Sequence, residues 1–223
     1  MIKPTAFIFD MNGTIIDDMP WHIKIWNQVF NEYGANHSLE QSKEELYGKN
    51  GEILERIFPG KFTDAEKDAL EVEKEKRYQQ LYRNEMKLIN GLDNFFAKAR
   101  EHNIDIGLGT AAIRFNVDFI LDGLDIRRYF KAIVAAEDVS ISKPHPETFL
   151  KCASLMNIPP QNCIVFEDSP KGVETAANAG MQCVVITTMH HKEEFAQYNN
   201  ILFVMEDYTD ERLDDLFAGA TAR

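Results

Sequence analysis

Six short apolar runs limit what this chain can fold into: residues 5–10, 104–110, 132–137, 163–168, 183–187 and 201–204. They are rich in Ile, Val and Phe and do not alternate with polar residues. A strand with one wet face alternates; a strand covered on both faces does not, which is the habit of parallel sheets. Helix-like stretches separate the runs. Residues 91–102 place Leu92, Phe95, Phe96 and Ala99 at helical spacing, and residues 146–157 repeat this with Phe149, Leu150, Ala153 and Met156. Residues 169–179 open with Ser169-Pro170, an N-cap followed by proline at the first helical position, and Gly180 follows at the stop. Strands alternating with helices predict an α/β fold with a Rossmann-like, doubly wound, mostly parallel sheet.

One region breaks the alternation. Between the first strand and Gly91, about 80 residues contain no convincing strand. Trp21, Ile25, Trp26, Val29, Phe30 and Tyr33 form an apolar helical stripe. Leu46 and the group Ile53, Leu54, Ile57 and Phe58 predict two further helices. Residues 63–86 predict a long helix with interleaved Glu and Lys, read as a solvated face. The expected organisation is an α/β core of residues 1–16 and 89–223, with an inserted four-helix cap of residues 17–88.

Charge narrows the partners. The chain carries 36 acidic and 24 basic side chains, a formal net charge of −12. That excess opposes nucleic acid or an anionic membrane surface as partner. No apolar run approaches the roughly 20 residues of a membrane helix. The opening MIKPTAFIFD passes straight into a strand pattern, without the apolar region of a secretory signal. Cys152, Cys163 and Cys183 are odd in number and form no C-x-x-C, which fits buried reduced thiols. The expectation is a cytoplasmic monomer acting on a small molecule.

In doubly wound sheets, ligands bind beyond the carboxyl ends of the strands. Here the first strand runs into Asp10-Met11-Asn12-Gly13-Thr14 and the second into Gly109-Thr110-Ala111-Ala112. The loop after the third reads Ser142-Lys143-Pro144-His145-Pro146-Glu147, and the fourth ends Phe166-Glu167-Asp168-Ser169-Pro170. Asp10 and Asp168 converge if their strands are neighbours, and close carboxylates repel unless a cation sits between them. Short acidic side chains suit Mg²⁺, which keeps several waters and shares itself with a substrate phosphate. Lys143 adds a cation that holds Asp10 ionised and takes charge from phosphate oxygens in the transition state. Thr110 and the backbone amides after it, beginning with Ala111, offer donors to the same oxygens, and Thr14 is placed to orient Asp10. Each element alone has an ordinary structural explanation; their joint order carries the signal.

The set Asp10-x-Asn12-Gly13-Thr14, Thr110, Lys143-Pro144 and Glu167-Asp168 resembles the four motifs of the haloacid dehalogenase-like superfamily. The resemblance spans nearly the whole chain, and within the superfamily it is nearest the β-phosphoglucomutase-like group with its inserted helical cap. It implies that Asp10 is the nucleophile and forms an aspartyl-phosphate. It implies that Asp10, the backbone carbonyl of Asn12 and Asp168 hold Mg²⁺ with Glu167 nearby, and that Thr110 and Lys143 bind the transferring phosphoryl group. The implied substrate is a small phosphorylated metabolite such as a sugar phosphate.

Position 12 departs from that pattern. Members acting on phosphate esters usually carry a second aspartate there, which protonates the leaving alkoxide and then activates water. An amide exchanges no proton, and such help is worth about 10²–10⁴-fold. Three explanations stand open: a substrate with a good leaving group, a proton from another residue such as His22, or a protein that has lost most turnover and binds phosphorylated ligands. Restoring aspartate at position 12 is expected to raise turnover of alkyl phosphates. His22 and Trp26 lie four apart on one helical face and match substrate-side positions of the group. Lys49, in Gly48-Lys49-Asn50-Gly51, is placed to meet a second anionic group. The arginine usual in that loop of the mutases is absent, which favours a phosphatase over a phosphosugar mutase. Dehalogenation needs no metal and is disfavoured by Glu167-Asp168. Phosphonate cleavage needs a desolvated lysine that nothing in the sequence marks.

Overall fold

The computed structural model describes residues 4–218; the tail 219–223, expected to fray, lies outside them. All six expected strands form: β1 (Ala6–Phe9), β2 (Asp105–Gly109), β3 (Phe130–Val134), β4 (Cys163–Glu167), β5 (Gln182–Ile186) and β6 (Ile201–Met205). They make one sheet in the order β3-β2-β1-β4-β5-β6, every neighbouring pair parallel. β3 lies earlier than expected. The chain leaves the ladder after Val134 because the Asp138 carboxylate accepts from the Ala135 N–H at 2.8 Å, and residues Ala136–Asp138 close a 3₁₀ turn.

Between β1 and β2 run α1 (Met19–Glu32), α2 (Leu39–Glu44), α3 (Asn50–Ile57), α4 (Asp64–Tyr82) and α5 (Leu92–Glu101). α6 (Arg114–Gly123) follows β2, α7 (Glu147–Met156) follows β3, and α8 (Pro170–Asn178) follows β4. Successive residues of β1 point to opposite faces of the sheet. Phe7 and Phe9 pack with Phe95, Phe96, Val117 and Ile120 on one side, while Ala6 and Ile8 pack with Phe149, Cys152, Ala153 and Val173 on the other. Two-sided burial is why these strands read as unbroken apolar runs. All three cysteines are buried and free. No helix among the described residues is long and apolar enough to cross a membrane.

Three helices differ from the expectation. The helix expected near Leu46 lies earlier, where Ser38 and Gln41 form a reciprocal capping box, so Leu46 falls beyond its end. α6 was not anticipated, although Val117, Ile120 and Leu121 are buried at helical spacing. The long helix α4, opened by the Thr63–Glu66 box, is not merely a solvated face: Lys74, Glu75, Tyr78 and Tyr82 are buried. The chain enters and leaves α1–α4 side by side, the Ile89 N–H donating to the Ile15 carbonyl at 3.0 Å.

Phe9 is fully buried, stacked on Phe166 with centroids 4.5 Å apart and edge-on to Phe96 at 5.2 Å. Phe9→Ala is expected to cost about 3–5 kcal/mol of folding stability. Urea unfolding measures this, and a loss below about 1 kcal/mol would contradict the packing described.

Candidate functional site

The sheet register assembles the site. Phe9 pairs with Phe166 on one side and with Leu108 on the other, so Asp10 leaves β1 beside Glu167, with Gly109 and Thr110 across from them. The Asp10 N–H continues the ladder, donating to the Phe166 carbonyl at 3.0 Å. The loop carrying Lys143 is anchored separately. The Glu147 carboxylate accepts from the Ser140 and Ile141 N–H groups, and Asn178 donates to the Pro144 carbonyl at 2.9 Å. Lys143 Nζ thereby reaches Asp10 Oδ1 at 2.7 Å and Glu167 Oε1 at 2.6 Å, 4.6 Å above the Phe149 ring.

Glu167 is the frame of this arrangement. Its second oxygen accepts from the Asp168 N–H, the Ser169 N–H and the Ser169 hydroxyl at 2.9–3.0 Å. Ser169 in turn caps α8, accepting from the Gly172 N–H at 3.0 Å. The first turn of α8 presses so closely on Glu167 that a Cβ on Gly172 would meet its Cδ at 1.8 Å. Gly13 shows the same close approach from β1: its φ is +72°, and a Cβ there would meet Asp168 Oδ2 at 2.1 Å.

Carboxylate oxygens of Asp10, Glu167 and Asp168 lie within 4.8 Å of one another, and all three residues are buried. Burial pushes the Asp10 carboxyl up to about 6, with Lys143 opposing and Glu167 adding to the rise. Asp168 is raised well above the ordinary carboxylate range, first by burial and then by the charges of Glu167 and Asp10. Burial would lower the Lys143 ammonium, but Asp10 and Glu167 outweigh it and hold it raised. One ammonium thus faces three acids. An all-oxygen donor set with unbalanced negative charge fits a hard divalent cation such as Mg²⁺.

A cavity of about 460 Å³ opens from these residues toward α1–α4. Asp10, Asn12, Thr110, Ala111, Lys143, Glu167, Asp168, His22 and Trp26 all line it, so the structure brings together most residues singled out in the sequence. Thr110 is buried, its hydroxyl accepting from the Ala112 N–H at 3.1 Å. Two expected residues stand elsewhere. Thr14 is fully buried with no partner for its hydroxyl and does not line the cavity; Tyr208 instead donates to its carbonyl at 2.9 Å. Lys49 also does not line it: its ammonium donates to the Val139 carbonyl at 2.6 Å, and nearby Ser142 donates to Glu52 at 2.7 Å. These two contacts tie the start of α3 to the segment leading to Lys143.

Sequence reasoning missed a buried polar network on the side of the cavity facing α1 and α4. Lys74 Nζ lies 2.6 Å from His22 Nδ1 and 2.8 Å from Glu75 Oε1, which also accepts from Asn50 at 3.0 Å. His22 stacks on Tyr78, with ring centroids 4.1 Å apart. The Asn12 amide donates to Asp18 Oδ2 at 2.6 Å and lies 3.1 Å from His22 Nε2. The available signal was the spacing of Lys74, Tyr78 and Tyr82, four apart on one face of a helix otherwise full of charge.

Residues 7–186 match the family model described as haloacid dehalogenase-like hydrolase. The chain is 32% identical over 179 residues to a fructose-1-phosphate phosphatase of Escherichia coli, covering 80% of this chain and 94% of that one. It is 32% identical over 187 residues to a β-phosphoglucomutase of Bacillus subtilis, covering 80% and 81%. The crystal structure of a Clostridium difficile β-phosphoglucomutase superposes with a TM-score of 0.83 at 28% identity, covering 97% of each chain.

Two measurements test the site's electrostatics. Gly172→Ala is expected to push Glu167 off Lys143 and lower thermal stability, with Gly172→Ser at least as severe; an unchanged melting temperature would contradict the close approach. The second concerns Glu71, which burial and the neighbouring Glu75 push up to about 7, Asn50 opposing and Glu137 and Asp68 adding. A carboxyl raised in the folded state contributes stability that is fully present below its unfolded value and lost as pH rises through about 7. Glu71→Gln should therefore raise the melting temperature at about pH 8 and change it little at about pH 4.5; equal shifts at both would refute this.

Proposed function

The chain belongs to the haloacid dehalogenase-like hydrolase family, and from that premise we propose that it is a Mg²⁺-dependent phosphatase of a small phosphorylated sugar or polyol. The observation that carries the reading is Lys143 bridging Asp10 and Glu167, with Asp168 in the same acidic cluster. In this reading Asp10 attacks phosphorus and forms an aspartyl-phosphate that water then hydrolyses. Lys143 keeps Asp10 anionic and meets the equatorial oxygens as charge builds on them. Thr110 and the Ala111 N–H offer further donors to those oxygens. Asp10, the Asn12 carbonyl and Asp168 would hold Mg²⁺, with Glu167 steadying both the lysine and the start of α8. Bound there, the metal neutralises the carboxylates and the incoming phosphate.

Residues 17–88 act as a cap that closes the cavity and supplies selectivity. Trp26 walls the substrate side. The Lys74 ammonium donates to His22 Nδ1, which leaves Nε2 as the donor side of that ring. That N–H faces Asp18 Oδ2 at 3.2 Å, so in this reading the His22–Asp18 pair, and not His22 alone, stands on the leaving-group side in place of the acid missing at position 12. The E. coli relative's name points to a sugar phosphate. Mutase action is the lesser reading: among the described residues no arginine lines the cavity to hold a second phosphate.

A screen of sugar phosphates, polyol phosphates, acyl phosphates and pyrophosphate, with and without Mg²⁺, tests this. Turnover should vanish on chelation, and Asp10→Asn should lower it by at least about 10³-fold. Beryllium fluoride with Mg²⁺ should protect the wild-type protein from unfolding but not Asp10→Asn. Chelator-resistant turnover, or an active Asp10→Asn variant, would sink the proposal.

A further inference from the structure

Asp18 is a carboxylate out of its ordinary place. It stands at the N-cap position of α1, where such a side chain usually accepts from the first turn of its own helix. It makes no such bond. Its side chain is fully buried, and one oxygen, Oδ2, takes the Asn12 amide at 2.6 Å and the Tyr78 hydroxyl at 2.5 Å. His22 Nε2 lies 3.2 Å from the same oxygen, and Oδ1 is left without a partner. Lys74, on the far side of the His22 ring, is the cation behind this cluster.

We propose that residues 12 and 18 form a reciprocal amide–carboxylate pair, in which Asp18 positions Asn12 and His22 on the leaving-group side of the cavity. The contact between them admits one carboxylate. An aspartate at position 12 would set an anionic oxygen 2.6 Å from Asp18 Oδ2, buried and with no amide proton between them. The amide at position 12 is therefore the complement of the acid at position 18. Reversing both residues keeps the hydrogen bond with its direction inverted: an asparagine at 18, its amide nitrogen in the place of Oδ2, donates to an aspartate at 12 and to the Tyr78 hydroxyl oxygen. Asp18 is a positioning residue, acting through Asn12 and His22. The proposal rests on the phosphatase reading for its effect on turnover, but not for the pairing itself.

The experiment is a double-mutant cycle of Asn12→Asp, Asp18→Asn and the two together, read in two ways. Urea unfolding reports the pairing without reference to activity. Each single change should destabilise, and the double variant should recover, so that the effects depart from additivity by at least about tenfold in the unfolding equilibrium constant. Steady-state hydrolysis of an alkyl phosphate with Mg²⁺ reports the positioning. Asn12→Asp alone should be no faster than wild type, against the expectation from the sequence, because Asp18 would face the new carboxylate. The double variant should raise kcat by at least about tenfold with KM little changed, as a group acting in the transition state requires. Additive unfolding energies would overturn the pairing. Asn12→Asp alone matching the double variant in kcat would overturn the positioning role. An inactive wild type with coupled unfolding would instead count against the phosphatase reading and leave the pairing supported.

Discussion

The Lys143 ammonium lies 2.7 Å from Asp10 and 2.6 Å from Glu167, and without it three buried carboxylates would share one sheet edge uncompensated. Buried ions are costly unless paired, and removing one partner of such a pair typically costs about 3–5 kcal/mol. Much of the surrounding structure serves that contact. The ladder between β1 and β4 brings the two acids into register. Glu147 and Asn178 hold the loop that delivers the lysine, and Gly172 leaves room for Glu167 under the first turn of α8. Even so, one positive charge does not balance three negative ones. That surplus on an all-oxygen donor set is what a hard divalent cation would offset.

The same electrostatics organise the opposite wall of the cavity. There Lys74 sits between His22 and Glu75, and Asp18 gathers Asn12 and Tyr78. The two walls differ in what they offer a ligand. The sheet edge offers oxygen ligands for a metal and a cation for phosphate, while the α1–α4 side offers directed hydrogen bonds from side chains that already hold one another. The proposed substrate, a small phosphorylated sugar or polyol, has these two ends.

Much of this was readable from residue patterns, for a physical reason. Strands buried on both faces must be apolar throughout, so β1, β2 and β4–β6 stood out, and polar residues at their ends were conspicuous against that background. Asp10, Glu167 and Asp168 are legible this way, whereas Lys143, in the loop beyond β3, is legible only from its place in the motif order. What stayed hidden was polar chemistry inside helices. Lys74 and Glu75 sit among exposed Glu and Lys in α4, and nothing local distinguishes a buried ion pair from a solvated one. Asp18, next to Asp17 just before α1, has the sequence context of an ordinary helix-start acid. Lys49 was misplaced because spacing on a turn does not tell which way a long side chain reaches; here it binds the Val139 carbonyl.

The pairing of Ile15 with Ile89 bears on how the molecule moves. α1–α4 join the sheet through two strands of chain laced together at Ile15 and Ile89, and the Lys49–Val139 and Ser142–Glu52 contacts make a second tie to the core. Asn12 lies on the sheet side of that lacing and Asp18 on the helical side, and their hydrogen bond spans it. A pocket that opened by pivoting there would strain or release the Asn12–Asp18 hydrogen bond in the same stroke, and in the proposed reading that would couple the breathing of the enclosure to the readiness of its chemistry.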